Sequence, residues 1–231
     1  HFLLRRQRQM CIRDRVLFGQ MSSWDVAEAM GRGINLGNTL SAPIEGNWAP
    51  EVYEQYFIDL AYEGFSNVRM PTDFFGSRTS GSTSNWSRLE NTSDQYTGSI
   101  DDFSVSTTYL NRVQTIVDWS LNQGLYTIID FHGAELKSEF LETFSDSNES
   151  YTSPTSAKRA ADLMKFKSIW IQIANRFRNH PPTLLFEVVN EPYFEVSANE
   201  MNEINIMIIE AIRSTGGNNS TRKIIITGGT S

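Results

Sequence analysis

A chain of 231 residues, 39% hydrophobic and 12% aromatic, can bury one sizeable core and fits a single α/β domain or part of a larger one. Its net charge of −7 is unevenly spread: residues 1–15 carry five arginines against Asp14, a local +4, which leaves −11 for the remainder. So acidic a body argues against nucleic acid as a partner, and no apolar run approaches the roughly 18 residues of a membrane span, so no membrane partner is expected.

The chain opens on His1. Residues 1–15 have an arginine-rich stretch but no apolar segment followed by a small-residue cleavage site, so they do not read as a signal peptide. The run Gln7-Arg8-Gln9-Met10-Cys11-Ile12-Arg13-Asp14-Arg15 reads as a non-native, adapter-like extension, the alternative being a genuine basic one. Cys11, the single cysteine, falls inside it, which leaves residues 16–231 without a disulfide or thiolate metal site.

Beyond Arg15 a strand-then-helix unit repeats. Ile34-Asn35-Leu36 reads as a first strand. Trp48-Ala49-Pro50-Glu51 then opens a helix through about Tyr62, with Pro50 in its first turn and Gly64 just past its end. Phe65 to Met70 is a second strand. Residues Gly76 to Asp102, rich in Ser, Thr, Gly and Asn, are too many for an ordinary βα loop and read as an excursion over one face of the domain. A second helix spans about Thr107 to Asn122, with Leu110, Val113, Ile116, Val117 and Leu121 on one stripe and Gly124 as its stop.

Leu125 to Phe131 is the third strand. The third helix runs from about Ser156 to Phe177 and ends ahead of Pro181-Pro182. The segment Leu184-Leu185-Phe186-Glu187-Val188-Val189-Asn190-Glu191-Pro192 is the most informative in the chain: a strand apolar enough to be covered on both faces runs into an amide, an acid and a proline. A fourth helix spans about Ala198 to Ser214, and Lys223 to Thr227 is a fifth strand.

Strands separated by amphipathic helices specify parallel βαβ units with right-handed crossovers. A doubly wound sheet and a (β/α)8 barrel both satisfy that pattern. A dinucleotide fold needs its Gly-rich loop at the opening of the first helix, whereas Gly31-Arg32-Gly33 precedes and enters the first strand. Polar residues gather at the strand ends: Asn35 and Asn38; Asn67 and Arg69; Asp130 and His132; Asn190 and Glu191. Because side chains alternate along a strand, Asn67 shares a face with Arg69, Asp130 with His132, and Glu187 with Glu191.

The succession Gly33-Ile34-Asn35-Leu36-Gly37-Asn38-Thr39, Gly64-Phe65-Ser66-Asn67-Val68-Arg69-Met70-Pro71, Asp130-Phe131-His132 and Asn190-Glu191-Pro192 resembles glycoside hydrolase family five, the cellulase family of clan A. The resemblance covers roughly Gly31 to Thr230. It implies a (β/α)8 barrel and retaining hydrolysis of a β-linked polysaccharide, most simply by an endo-β-1,4-glucanase, with a β-mannanase, a xyloglucanase or a non-catalytic carbohydrate-binding relative as alternatives. It further implies Glu191 as acid/base and Asn190 as the ligand of a sugar 2-hydroxyl. Arg69 would be the arginine that keeps the nucleophile ionised, and His132 would line the subsite of cleavage. Asn35 belongs to the same strand-end set, and Trp48 and Trp86 could stack on sugar rings or pack their own loops.

Retaining hydrolysis needs two carboxyl groups about 5–5.5 Å apart, one of them a proton donor whose pKa is raised by a neighbouring carboxylate and partial desolvation. Four residues of extended chain put Glu187 about 13 Å from Glu191, too far for that pair, so Glu187 and Asp130 read as structural. The alternatives are that Arg69 simply neutralises a structural carboxylate and that His132 is a satisfied core histidine. No cofactor is implied, and His132 and His180 lack ligand-spaced partners for a metal.

The family's nucleophile lies on strand seven, beyond anything matched here, so residues 16–231 are expected to form a barrel truncated after about strand five and inactive alone. The whole protein is expected to be a secreted, extracellular monomer, because a polymeric glucan cannot enter a cell. Sequons at Asn85, Asn91, Asn148, Asn218 and Asn219 would permit glycosylation, though several would arise by chance in so Asn- and Ser-rich a chain.

Overall fold

The structure, a computed structural model, describes residues 21–140, 153–192 and 196–228. The basic extension with Cys11, and the sequon at Asn148, lie outside the described residues. The elements in chain order are α1 (Ser23–Met30), β1 (Gly33–Asn35), α2 (Glu54–Tyr62), β2 (Asn67–Thr72), β3 (Thr79–Ser80), β4 (Ser104–Val105), α3 (Thr107–Asn122), β5 (Tyr126–Phe131), α4 (Ala157–Phe177), β6 (Leu184–Glu187), α5 (Ala198–Ser214) and β7 (Ile224–Ile225).

The main sheet has the order β1-β2-β5-β6-β7, and every pairing in it is parallel. That order decides between the two architectures. In a doubly wound sheet the strand order reverses part-way, which puts helices on both faces. Here each strand lies beside the one before it in the main sheet, so right-handed crossovers carry every helix to the same face. A sheet wound in one direction covers its other face by curling on itself, which is how a (β/α)8 wall is built.

The packing follows from this winding. Val68, Met70, Ile129, Phe131, Leu184, Phe186 and Val188 project to the helical side and join Phe57, Val113, Ile116, Phe166, Trp170, Ile173, Ile208 and Ile212 in one core. Phe131 sits among four rings, with centroids 5.6 Å from Phe74, 5.4 Å from Phe75, 5.2 Å from Phe166 and 5.9 Å from Trp170. The alternate residues Ile128 and Leu185 face inward and meet Val26 of α1, with Met30 and Ile225 beside them. Helix α1 therefore covers the inner face at the N-terminal ends of the strands, and the C-terminal ends are left for polar side chains.

Helices α3 and α5 have the predicted bounds, and α4 opens one residue later than expected behind Ser156, whose hydroxyl accepts from Arg159 N–H. Gly64 and Gly124 both adopt φ +78° just past their helices, the left-handed stop that glycine permits without strain. Three expectations need correction. Helix α2 begins at Glu54, not near Trp48, so Pro50 belongs to a loop in which Glu45 accepts from Val52 N–H and from Nε and Nη2 of Arg112. Helix α1, opened by a capping box between Ser22 and Asp25, had no predicted counterpart. Strand β2 is displaced toward its C-terminus, running to Thr72, because Pro71 is accommodated within it.

The excursion after β2 is bound along α4. It returns through the β3–β4 hairpin. Ser168 Oγ donates to Ile100 O at 2.6 Å, Val105 N–H donates to Gln172 at 2.9 Å, and Lys158 reaches Thr83 Oγ1 at 2.9 Å while pairing with Asp162. Among the sequons, Asn85 and Asn91 are exposed, whereas Asn219 is fully buried and spends its amide on Ala174 O. Asn219 cannot carry a glycan in this fold.

Candidate active site

Arg69, inward-facing in the middle of β2, is the hub of the polar cluster. Its Nε and Nη2 donate to the two oxygens of Glu187, each at 2.7 Å, a bidentate fork-to-carboxylate pair. Nη2 also approaches Asn190 Oδ1 at 2.9 Å and Asp130 Oδ2 at 2.9 Å, and Nη1 reaches Asn35 Oδ1 at 3.4 Å. Residues from β1, β2, β5 and the end of β6 thus meet on one guanidinium. The register accounts for the meeting: Asn35 pairs with Arg69 across β1–β2, and Asp130 with Glu187 across β5–β6.

Burial of Arg69, the largest single influence, works against its charge. The hydrogen bonds that Arg69 donates to Glu187 and the fields of Asp130, Glu187 and Glu191 outweigh it and hold the pKa above the ordinary arginine value. Asp130 is fully buried. Burial and the field of Glu187 push its carboxyl upward, opposed by the hydrogen bond from His132 and the charge of Arg69. His132 Nδ1 lies 2.9 Å from Asp130 Oδ2, as expected for side chains two residues apart on one strand.

The alternation does not extend along the last segment. Strand β6 ends at Glu187 and the chain bends at Val188, so Asn190, three residues on, reaches the same guanidinium as Glu187. Asn190 N–H still donates to Phe131 O at 2.9 Å, which keeps this segment beside β5. Glu191 then takes φ +39°; Asn91 is the only other described non-glycine residue with positive φ. Such backbone costs on the order of 1–3 kcal/mol and persists where surrounding structure enforces it. Its effect is to expose Glu191 while Asn190 remains 4% exposed.

Asp130, Arg69 and His132 are brought together as the alternation implied, whereas Asn190 joins them only through the bend at Val188, with Glu191 next in the chain and within the field of Arg69. Asn35 touches the cluster only at its edge. Asn67 does not join it: it lies at the opposite end of β2, and its amide donates to Met30 O at 2.8 Å. Trp48 is half exposed in the loop before α2. Trp86 stands edge-on to Tyr96 at 4.7 Å, a packing contact within the excursion.

Sequence reasoning missed Asp73. Its buried carboxylate accepts from Phe75 N–H at 3.1 Å, Glu135 N–H at 2.9 Å and Leu136 N–H at 3.3 Å, and so ties the loop after β2 to the π-helical turn Leu136–Phe140 that follows His132. Glu139 of that turn returns a carboxylate oxygen to Gly76 N–H at 2.8 Å. The two loops beside His132 are clasped from both sides. Burial raises the Asp73 pKa to about 6 against the lowering effect of its backbone donors. Among the described residues no three acid, histidine or cysteine side chains converge as a site for a metal ion.

A model of the cellulase family, glycosyl hydrolase family 5, matches residues 28–231. The chain belongs to glycoside hydrolase family 5. Over 206 residues this family 5 chain is 34% identical to endoglucanase H of Acetivibrio thermocellus, an alignment that takes in 89% of the chain and 18% of that protein. It is 29% identical to endoglucanase B of Paenibacillus lautus, over 86% of the chain and 32% of that protein. Among solved structures it resembles a tri-modular family 5, subfamily 4 endo-β-1,4-glucanase from Bacillus licheniformis complexed with cellotetraose. The TM-score is 0.67 at 34% identity, over 89% of this chain and 34% of that one. The chain therefore spans about a fifth to a third of the length of these relatives.

Proposed function

We propose that this chain supplies the acid/base half of the active site of a retaining endo-β-1,4-glucanase. The observation that carries the proposal is the arrangement around Arg69: Asn190 fastened to its guanidinium, and Glu191 set out beside it by a left-handed backbone at the C-terminal strand ends, where barrels of this class keep their chemistry. In this reading Glu191 protonates the departing glycosidic oxygen and later deprotonates water, Asn190 holds the 2-hydroxyl, and His132 borders the cleaved sugar. Trp48 and Asn35 line the approach. The endoglucanase names of the relatives support a β-1,4-glucan as the substrate.

In this reading Glu187, held by both oxygens on Arg69, is the structural carboxylate that the arginine neutralises, and another group is the second carboxylate of the pair. That role belongs to the part of the catalytic barrel which the whole enzyme holds beyond β7. Residues 16–231 are then a section of one catalytic domain behind a non-native extension. A polymeric substrate also supports secretion, and among the described residues no helix is long and apolar enough to cross a membrane.

The test is hydrolysis of β-1,4-glucan by the whole enzyme and by its Glu191→Gln variant. Loss of a positioned general acid lowers kcat by roughly 10²–10⁴-fold. An unimpaired variant removes Glu191 from the chemistry. Faster turnover of β-mannan or xyloglucan than of β-glucan reassigns the substrate, and oligosaccharide binding without turnover identifies a non-catalytic relative.

A further inference from the structure

We propose that Asp130 is the positioning residue that fixes His132 with its proton on Nδ1, so that Nε2 meets the substrate as a hydrogen-bond acceptor for a sugar hydroxyl. The inference deepens the function proposed above and rests on it for the identity of the ligand.

The Asp130 carboxylate has few donors within reach. It is fully buried on the central strand of the main sheet, and a carboxylate in that position needs donors. Among the described residues no donor reaches the buried Oδ1, so the donors converge on Oδ2. Two groups address that oxygen, each at 2.9 Å: Arg69 Nη2 and His132 Nδ1.

Arg69 cannot satisfy it alone. Nη2 carries two hydrogens and faces three acceptors, Glu187 Oε1 at 2.7 Å, Asn190 Oδ1 at 2.9 Å and Asp130 Oδ2 at 2.9 Å, so its bonds are shared. A proton on His132 Nδ1 supplies the missing donor. Without it, a nitrogen lone pair would face a carboxylate oxygen at hydrogen-bond distance, which is repulsive.

In the neutral ring a proton on Nδ1 leaves Nε2 bare. Among the described residues Nε2 has no partner, and the ring is 20% exposed. A bare imidazole nitrogen accepts from O–H and refuses groups that only accept, such as a ring oxygen or a carboxylate. Of the other acids of the cluster, Glu187 is bound to the Arg69 guanidinium and Glu191 lies within its field, and Asp130 is the one that addresses the ring directly.

The tautomer can be read without any ligand, from the ring nitrogens of the ¹⁵N-labelled chain by long-range ¹H–¹⁵N NMR, at a pH where the ring is neutral. The expected result is one dominant Nδ1–H form for His132, with that proton protected from exchange and the protection lost in Asp130→Asn. In the whole enzyme the same substitution is expected to lower kcat/KM on cellotetraose about tenfold, the scale of one hydrogen bond. A wild-type ring found as Nε2–H or as an even mixture overturns the proposal whether or not the variant folds. So does a variant that keeps the protected Nδ1–H. Failure of cellotetraose to bind would remove the functional reading and leave the tautomer result standing.

Discussion

Arg69 and Asp73 hold the candidate site by different means. Arg69 satisfies Glu187 with a planar fork, which an ammonium cannot reproduce. In Arg69→Lys, Glu187 or Asp130 is left under-satisfied in a buried setting, and a loss of about 2–4 kcal/mol of stability is expected by urea unfolding. Asp73 acts through its loops. Its folded pKa of about 6 lies above the ordinary 3.8, so the folded state takes up a proton at a pH where the unfolded chain does not. Stability from this group therefore rises as pH falls from about 7 toward 4, and the ionised form is the costly one. The difference in melting temperature between the protein and Asp73→Asn should accordingly change across that window. A constant difference would show that Asp73 does not titrate there.

At the scale of elements, helices α3 and α5 were legible to their ends and the sheet strands in place but not in their bounds, for identifiable reasons. Helices α3 and α5 announce themselves by a capping serine and a continuous apolar stripe, whereas β1 and β7 are too short to show alternation. Pro50 reads as a first-turn proline, yet the ion pair of Glu45 with Arg112 and the bond from Arg112 to Val52 O hold that stretch as a loop against α3. The residues of the site were legible and their partnerships were not. Which carboxylate meets Arg69 depends on interstrand register and on the bend at Val188, and neither is written in local sequence. Arg222 is a further example. Fully buried, it binds Asn219 Oδ1 and the carbonyls of Phe177, His180, Pro181 and Leu184, closing the turn between α4 and β6, and burial brings its pKa down to about 10. Arg222→Met should cost about 3 kcal/mol or more in urea unfolding, because it leaves those carbonyls unpaired. Phe131→Ala, which opens a cavity among four rings, should cost roughly 3–5 kcal/mol.

For the whole molecule, the strand order carries the argument from fold to function. One-directional winding puts the helices outside and α1 across one end, and it brings Asn35, Arg69, Asp130, His132 and Asn190 to the other end, with Glu191 beside them. On the function proposed above, a β-1,4-glucan lies across that rim with its scissile oxygen at Glu191. The most direct measurement is a crystal structure of the whole enzyme's Glu191→Gln variant with cellotetraose bound. The expected result is a glycosidic oxygen within about 2.6–3.2 Å of the residue 191 side chain, with a sugar hydroxyl on Asn190. A sugar chain seated elsewhere, as in the groove of about 360 Å³ lined by Leu163, Ile204 and Met207 between α4 and α5, with the Arg69 rim vacant, would contradict it.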